Sequence, residues 1–238
     1  MNAEQANERI VRREETLLLL DKPPGIPTSG RSLDDPDCLQ YGLIQSFGQM
    51  VWAVHQLDAD TSGINLFVLE KKAVADWKRK MESPEALKTY IAVVYGEVSW
   101  TRKTVEAPIG KVDERSLGVC PRGKSARSHF HVLAKGSGST LLAVRIETGR
   151  THQIRIHAAH LGHPLLGEEW YAPHPCHRHP RQALHCLAMT LDGWGAVIPP
   201  PADLMELFVR ERLSWDPHWE REEVQEKWWS GMSLEGRS

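Results

Sequence analysis

The chain has 238 residues, 41% of them hydrophobic and 25% charged, a make-up that fits one large globular core and excludes disorder as the overall state. Its 29 Lys and Arg against 31 Asp and Glu leave a formal charge of −2, which argues against coating nucleic acid by bulk charge, so that any site for a polyanion must be local. No stretch approaches the roughly 18–20 consecutive apolar residues of a membrane helix, and the segment from Glu4 to Glu15 is charged and polar rather than a leader, which places the protein in the cytoplasm.

In chain order, Thr16 to Leu20 is an apolar run closed by Asp21-Lys22-Pro23-Pro24-Gly25, the pattern of a buried strand running into a Pro/Gly loop. Strands are predicted from Val51 toward Leu57 and from Ile64 to Leu69, with a tight polar loop, Asp58 to Gly63, between them. Lys71 to Met81 places Val74, Trp77 and Met81 at helical spacing with Lys and Arg opposite, and Ser83-Pro84 stops that helix. Leu87 to Val98 alternates as a strand does. Val132-Leu133 and Leu141 to Ile146 are further strands about the Gly136 to Ser139 turn.

After Gly149, Ile154, Ala158 and Leu161 fall at i, i+4 and i+7 of a helix that Gly162 and Pro164 end. Pro199-Pro200-Pro201 reads as a linker; Leu204, Leu207 and Phe208 mark one helix after it, and Asp216-Pro217 opens another. Strands and helices interleave without strict alternation, so the fold class expected is α+β, with a mixed, largely antiparallel sheet.

Two polar concentrations could carry chemistry. In Val54 to Gly63 a strand ends in a loop that can present Asp58 at a cleft as nucleophile, base or metal ligand. Asp58 or Asp60 could equally cap the turn through bonds to backbone N–H groups. Asp60-Thr61-Ser62-Gly63 also loosely matches the turn of aspartic proteases, but those need two carboxylates and the chain holds no second copy. In Thr148 to His157, Gly149 permits a sharp turn before a helix start that offers unpaired N–H donors to a phosphate, with Arg150 and Arg155 as bidentate partners. The alternative is an ordinary amphipathic helix with a solvated basic face.

The four cysteines, Cys38, Cys120, Cys176 and Cys186, form no CxxC pair and read as free thiols. The cluster His174, Cys176, His177 and His179 invites a zinc reading, but its spacing matches no common structural pattern, and a loop is the preferred reading. Of the nine tryptophans, Trp215, Trp219, Trp228 and Trp229 gather near the C-terminus, where packing onto the body is favoured over base stacking.

Taken in order and spacing, these motifs resemble the RluA family of pseudouridine synthases. Asp21 to Gly25 is similar to its opening loop and His55 to Gly63 to its catalytic loop. Lys88-Thr89-Tyr90 to Gly96 is similar to its tyrosine strand. Thr148 to His157, continued by Gly162-His163-Pro164-Leu165-Leu166-Gly167, matches its third signature, and Gln182-Ala183-Leu184-His185 a later strand. The resemblance covers roughly Thr16 to Leu191.

It implies an α+β pseudouridine synthase-like domain whose central sheet is crossed by an RNA-binding cleft, spanning residues 16–198, with a polar tail at 1–15 and a helical, Trp-rich appendage at 199–238. It implies an isomerase acting on a uridine of transfer or ribosomal RNA, without cofactor or metal and as a monomer. Asp58 would be the catalytic carboxylate, attacking the uridine or removing a proton from its ribose. Tyr90 would lie against the flipped base and could act as the finishing base. Arg155 would pair with Asp58. His55, Gln56, Thr61, Arg150, His152 and Gln153 are the implied substrate-binding residues. The family usually has Arg where this chain has Gln56, a shorter, uncharged side chain at the position where the arginine can wedge into the space left by the flipped base. Two other readings stand beside this one: a non-catalytic RNA-binding protein on the same fold, and a zinc protein using the His/Cys cluster.

Overall fold

The computed structural model describes residues 1–83, 85–114, 116–172, 177–191 and 194–229. Its elements run α1 (Ala3–Asn7), β1 (Ile10–Glu14), β2 (Leu17–Lys22), α2 (Leu39–Phe47), β3 (Trp52–Ala53), β4 (Ser62–Val68), α3 (Ala73–Met81), β5 (Leu87–Tyr95), β6 (Arg102–Glu106), β7 (Ile109–Lys111) and β8 (Leu117–Val119). They continue with β9 (Arg127–Lys135), β10 (Ser139–Ile146), α4 (Gln153–His160), β11 (Leu184–Leu191), β12 (Trp194–Val197), α5 (Ala202–Arg210), a 3-10 turn (Pro217–Glu220) and α6 (Glu222–Trp229). The main sheet has the order β1-β2-β4-β11-β5-β10-β9-β6, with β3 beside β4 and β12 beside β11; β7 and β8 form a separate hairpin. All its pairings are antiparallel except β4 with β11. The α+β architecture with a mixed, largely antiparallel sheet is the one the sequence pattern predicts.

Side-chain alternation explains why the run at Leu17–Leu20 is apolar throughout: both faces of the sheet are covered. Leu17 and Leu19 join Ile64, Leu66, Ala92, Val94, Leu142 and Val144 in a core that also takes Ile154 and Ala158 of α4 and Met81 of α3. Leu18 and Leu20 face the other way, onto α1 and α2 through Ala6, Leu39 and Leu43. On β5, Ile91 and Val93 point to that second side too, where Leu204, Leu207 and Phe208 of α5 and Trp228 and Trp229 of α6 cover them. The described part of segment 199–238 therefore shares a core with the sheet. Trp215 stacks on Phe208 (centroids 5.7 Å apart, planes 21° apart) and meets Trp219 edge-on.

Two local expectations differ from the structure. Residues 1–15, expected as a polar tail, form α1 and β1; β1 carries charges because it is an exposed sheet edge, where Arg and Glu deter further pairing. The strand expected from Val51 toward Leu57 pairs only at Trp52 and Ala53, because the imidazole Nε2 of His55 accepts the Leu66 N–H at 3.2 Å and takes the place of a ladder bond. On α4, Gln153 through Ala158 are all buried, which removes the alternative of a solvated basic face and turns Arg155 into the protein.

The parallel pairing of β4 with β11 is short, His185 with Ser62 and Cys186 with Gly63. It has one consequence for the site: the segments that precede both strands emerge at the same edge of the sheet. Gly63, at φ +103°, is required there, since a Cβ would lie 2.3 Å from the Cys186 carbonyl oxygen.

His185 is enclosed beside this seam. Its Nε2–H donates to the Ile198 carbonyl (2.8 Å) and its Nδ1 accepts from the Ser62 hydroxyl (3.0 Å), so the neutral ring is the bonded form. Burial pulls its pKa, and that of His55, down from 6.5 to about 4. Between those values the unfolded chain binds protons that the folded chain refuses. Their contribution to stability is therefore complete above pH 6.5 and is lost as the pH falls toward 4. Urea midpoints are expected to drop steadily between pH 7 and 4.5, and His185→Gln is expected to flatten the slope; equal slopes in both proteins would contradict this assignment.

Candidate active site

The common edge of β4 and β11 holds a cavity of about 180 Å³ lined by Asp58, Ala59 and Asp60, by His152 and Arg155, by Gly167, Glu169 and Trp170, and by Pro180, Arg181 and Gln182. Four segments meet here: the loop before β4, the start of α4, the loop after α4, and the approach to β11.

Asp58 is partly exposed to the cavity. Its Oδ2 accepts from Nη1 of Arg155 at 3.2 Å, and its Oδ1 lies 3.7 Å from Nε2 of His152. Arg155 is buried, and its other nitrogens are committed to Glu168: Nε to Oε2 and Nη2 to Oε1, both 2.8 Å. Glu168 is fully buried and also accepts the backbone N–H groups of Trp170 (3.0 Å) and Tyr171 (3.3 Å). A buried guanidinium is costly unless paired and fully hydrogen-bonded, and the two carboxylates meet that need from either side. Arg155 in turn holds the Glu168 carboxyl below the usual carboxylate range against its burial, and the two carboxylates raise the guanidinium pKa. The rings of Trp170 and Tyr171 lie 5.0 and 5.2 Å from the guanidinium carbon.

His152 occupies a left-handed backbone conformation (φ 55°) at the start of α4, which turns its ring to the cavity. Nδ1 lies 2.6 Å from the Tyr171 hydroxyl, and burial lowers the ring's pKa despite the neighbouring Asp58. On the opposite side, the loop carrying Asp58 is tied down by Lys22, whose Nζ donates to the carbonyls of Pro23 (2.8 Å), Ile26 (2.6 Å) and Ala59 (2.7 Å). Burial pulls the Lys22 pKa to about 7, while three carbonyl acceptors match the three donors of its ammonium form. Arg181 closes the edge by donating to the Asp60 carbonyl (2.8 Å) and to both oxygens of Asp203 on α5. Gly167, at φ +78°, lets the Glu168 loop approach this strap, since a Cβ would lie 1.8 Å from the Arg181 carbonyl oxygen.

Of the residues singled out in the sequence, Asp58, His152 and Arg155 converge. Tyr90 is buried on β5 opposite Cys186 of β11; burial and the adjacent thiol raise its pKa well above 10. Gln56 is exposed, its Nε2 donating to Ser29 Oγ at 3.0 Å. Arg150 donates to the Ser125 carbonyl at 2.9 Å. His55, Thr61 and Gln153 turn inward. His55 accepts from β4. Thr61 lies 3.5 Å from Gln182 Nε2. Gln153 bonds Thr148 Oγ1, the Arg150 N–H, the Arg127 carbonyl and Ser128 Oγ, which anchors the first turn of α4. Sequence reasoning did not single out Glu168, Arg181 or the buried role of Lys22, whose parts in the site come from contacts distant in the chain.

Among the described residues no group of three or more His, Cys, Asp or Glu side chains converges to hold a metal ion, and none of the described helices is long and apolar enough to cross a membrane. His174 and Cys176 lie outside the described residues.

The family profile described as RNA pseudouridylate synthase matches residues 16–160. The ribosomal large subunit pseudouridine synthase D of Nitrosomonas europaea is 34% identical over 226 residues, covering 86% of this chain and 65% of that protein. An uncharacterized RNA pseudouridine synthase of Bacillus subtilis, YlyB, is 37% identical over 167 residues, covering 67% of this chain and 55% of its own length. The chain thus spans between half and two thirds of these curated relatives. The solved structure of human RNA pseudouridylate synthase domain containing 4 shares the fold, with a TM-score of 0.72 at 19% identity over 90% of this chain and 96% of that one.

Proposed function

The chain belongs to the RNA pseudouridylate synthase family, of the RluA type, and from that premise we propose that it isomerises a specific uridine of structured RNA to pseudouridine with Asp58 as the essential carboxylate. The observation that carries this reading is the Asp58–Arg155–Glu168 arrangement at the cavity: a carboxylate facing the cavity, held by a buried cation whose other two nitrogens are bonded to Glu168.

The reaction asks for little more. The N1–C1′ bond of the uridine breaks, a C5–C1′ bond forms, the hydrogen on C5 leaves as a proton and N1 gains one. Nothing is oxidised or reduced and no group is lost, so a positioned anion and a base suffice. Asp58 acts either by adding to the uridine or by taking a proton from its ribose. Arg155 is a positioning residue that fixes the direction of the carboxylate. Tyr90 backs the base, and His152 lines its path. Extruding the uracil from its stack costs a few kcal/mol, which contacts in the pocket must return.

The substrate class is transfer or ribosomal RNA, the working form a monomer in the cytoplasm, and residues 16–198 the catalytic unit. Incubation with unmodified ribosomal and transfer RNA transcripts, followed by digestion and chromatographic separation of nucleosides, is expected to show pseudouridine gained and uridine lost in equal amounts. RNA that is bound without any change in its nucleosides would refute the enzymatic reading.

A further inference from the structure

We propose that Trp170 is a stacking platform for an RNA base next to the target uridine, a role that rests on the function proposed above and identifies a substrate contact of the same site. Trp170 is 68% exposed, an unusual state for an indole, which ordinarily buries a large apolar area on folding. It lines the same cavity as Asp58.

Arg155 and His152 pack against it. The Arg155 guanidinium carbon lies 5.0 Å from the indole and the His152 ring 5.2 Å from it at an interplanar angle of 57°. The backbone N–H of Trp170 is bonded to the buried Glu168, so its loop is anchored where the ring emerges. The Arg155 and His152 contacts account for part of the indole's surface, and most of the rest meets solvent. A flat, cation-backed aromatic beside the cavity proposed to receive the extruded uridine is suited to a neighbouring nucleobase, because every base has a π-face and stacking tolerates sequence. The remaining specificity would come from the cavity itself, and Trp170 would supply affinity and register along the strand.

Binding of unmodified ribosomal and transfer RNA transcripts is measured by filter retention on an Asp58→Ala background, which cannot turn over. Trp170→Ala is expected to weaken Kd by about 5- to 150-fold, the range for losing one stacked base, and Trp170→Phe to recover most of that loss. Melting curves of both variants are recorded alongside, and a fall confined to Trp170→Ala of more than about 5 °C would assign the residue to the fold instead. Trp170→Ala binding as tightly as its parent, or Trp170→Phe binding as weakly as Trp170→Ala, would overturn the stacking role while leaving the enzymatic reading intact. Failure of the parent itself to bind any of the transcripts would defeat both.

Discussion

Replacing Asp58 with alanine is expected to lower the rate of pseudouridine formation on the order of 10⁴-fold or more, while the protein melts within a few degrees of the parent. The two halves of that expectation have separate causes. The carboxylate is the only group at the cavity proposed to act on the reacting atoms directly, and effects of removing such a group are far larger than those of removing a contact. Its structural contribution is small because Arg155 keeps both bonds to Glu168 when Asp58 is gone. Asp58→Asn should behave in the same way, since it keeps the volume and loses the charge. Single-turnover assays at saturating RNA check the first half and thermal melts the second. A residual rate within tenfold of the parent would remove Asp58 from the chemistry.

Glu168→Ala is expected to be the most damaging single change to stability in the site. It strands the buried Arg155 guanidinium and leaves the N–H groups of Trp170 and Tyr171 without their acceptor. Breaking a buried pair by removing one partner costs about 3–5 kcal/mol, which for a chain of this size lowers the melting temperature by roughly 6–20 °C. Turnover should fall as well, because Asp58 becomes the sole carboxylate partner of Arg155 and the Trp170 loop loses its anchor. Glu168→Gln, with one acceptor oxygen in place of two, should lie between the parent and Glu168→Ala. Melting of Glu168→Ala within about 1 °C of the parent would show that the pair is hydrated or otherwise compensated.

These two residues mark the boundary of what the sequence disclosed. Asp58 and Arg155 lie in motifs whose order and spacing point to a site, and the sheet beneath them was legible from the apolar run at Thr16 to Leu20 and the alternation from Leu87 to Val98. Glu168 was not, because nothing local distinguishes a fully buried acid from a solvated one; its burial follows from the turn at Gly167 and the packing of that loop against Arg181, both long-range facts. The same limit applied in reverse to His55, Thr61 and Gln153. They stand inside the functional motifs, yet their side chains meet β4, Gln182 and the first turn of α4. A motif records which residues a site needs, without separating those that face the cavity from those that shape its walls. The edge strand β1 and helix α2 also escaped notice, the former because an edge strand is polar on purpose, the latter because Leu39 to Phe47 lacks charged residues to frame an apolar face.

Among the described residues, Asp203 links the C-terminal segment to the site. Asp203 on α5 takes both the Nε and Nη2 bonds of Arg181, whose Nη1 reaches the Asp60 carbonyl two residues beyond Asp58. The helix that covers the far face of the sheet thereby also steadies the strap at the cavity's edge.

Isomerisation of uridine driven by Asp58 leaves a chemical trace at C5. Rejoining the ring through C5 must expel the hydrogen there, so RNA transcripts carrying tritium at uridine C5 are incubated with the parent protein and with Asp58→Ala, and the tritium released to water is counted. Release by the parent and none above background by Asp58→Ala is expected; no release by the parent from any RNA tested, or equal release by both, would rule out isomerisation driven by Asp58.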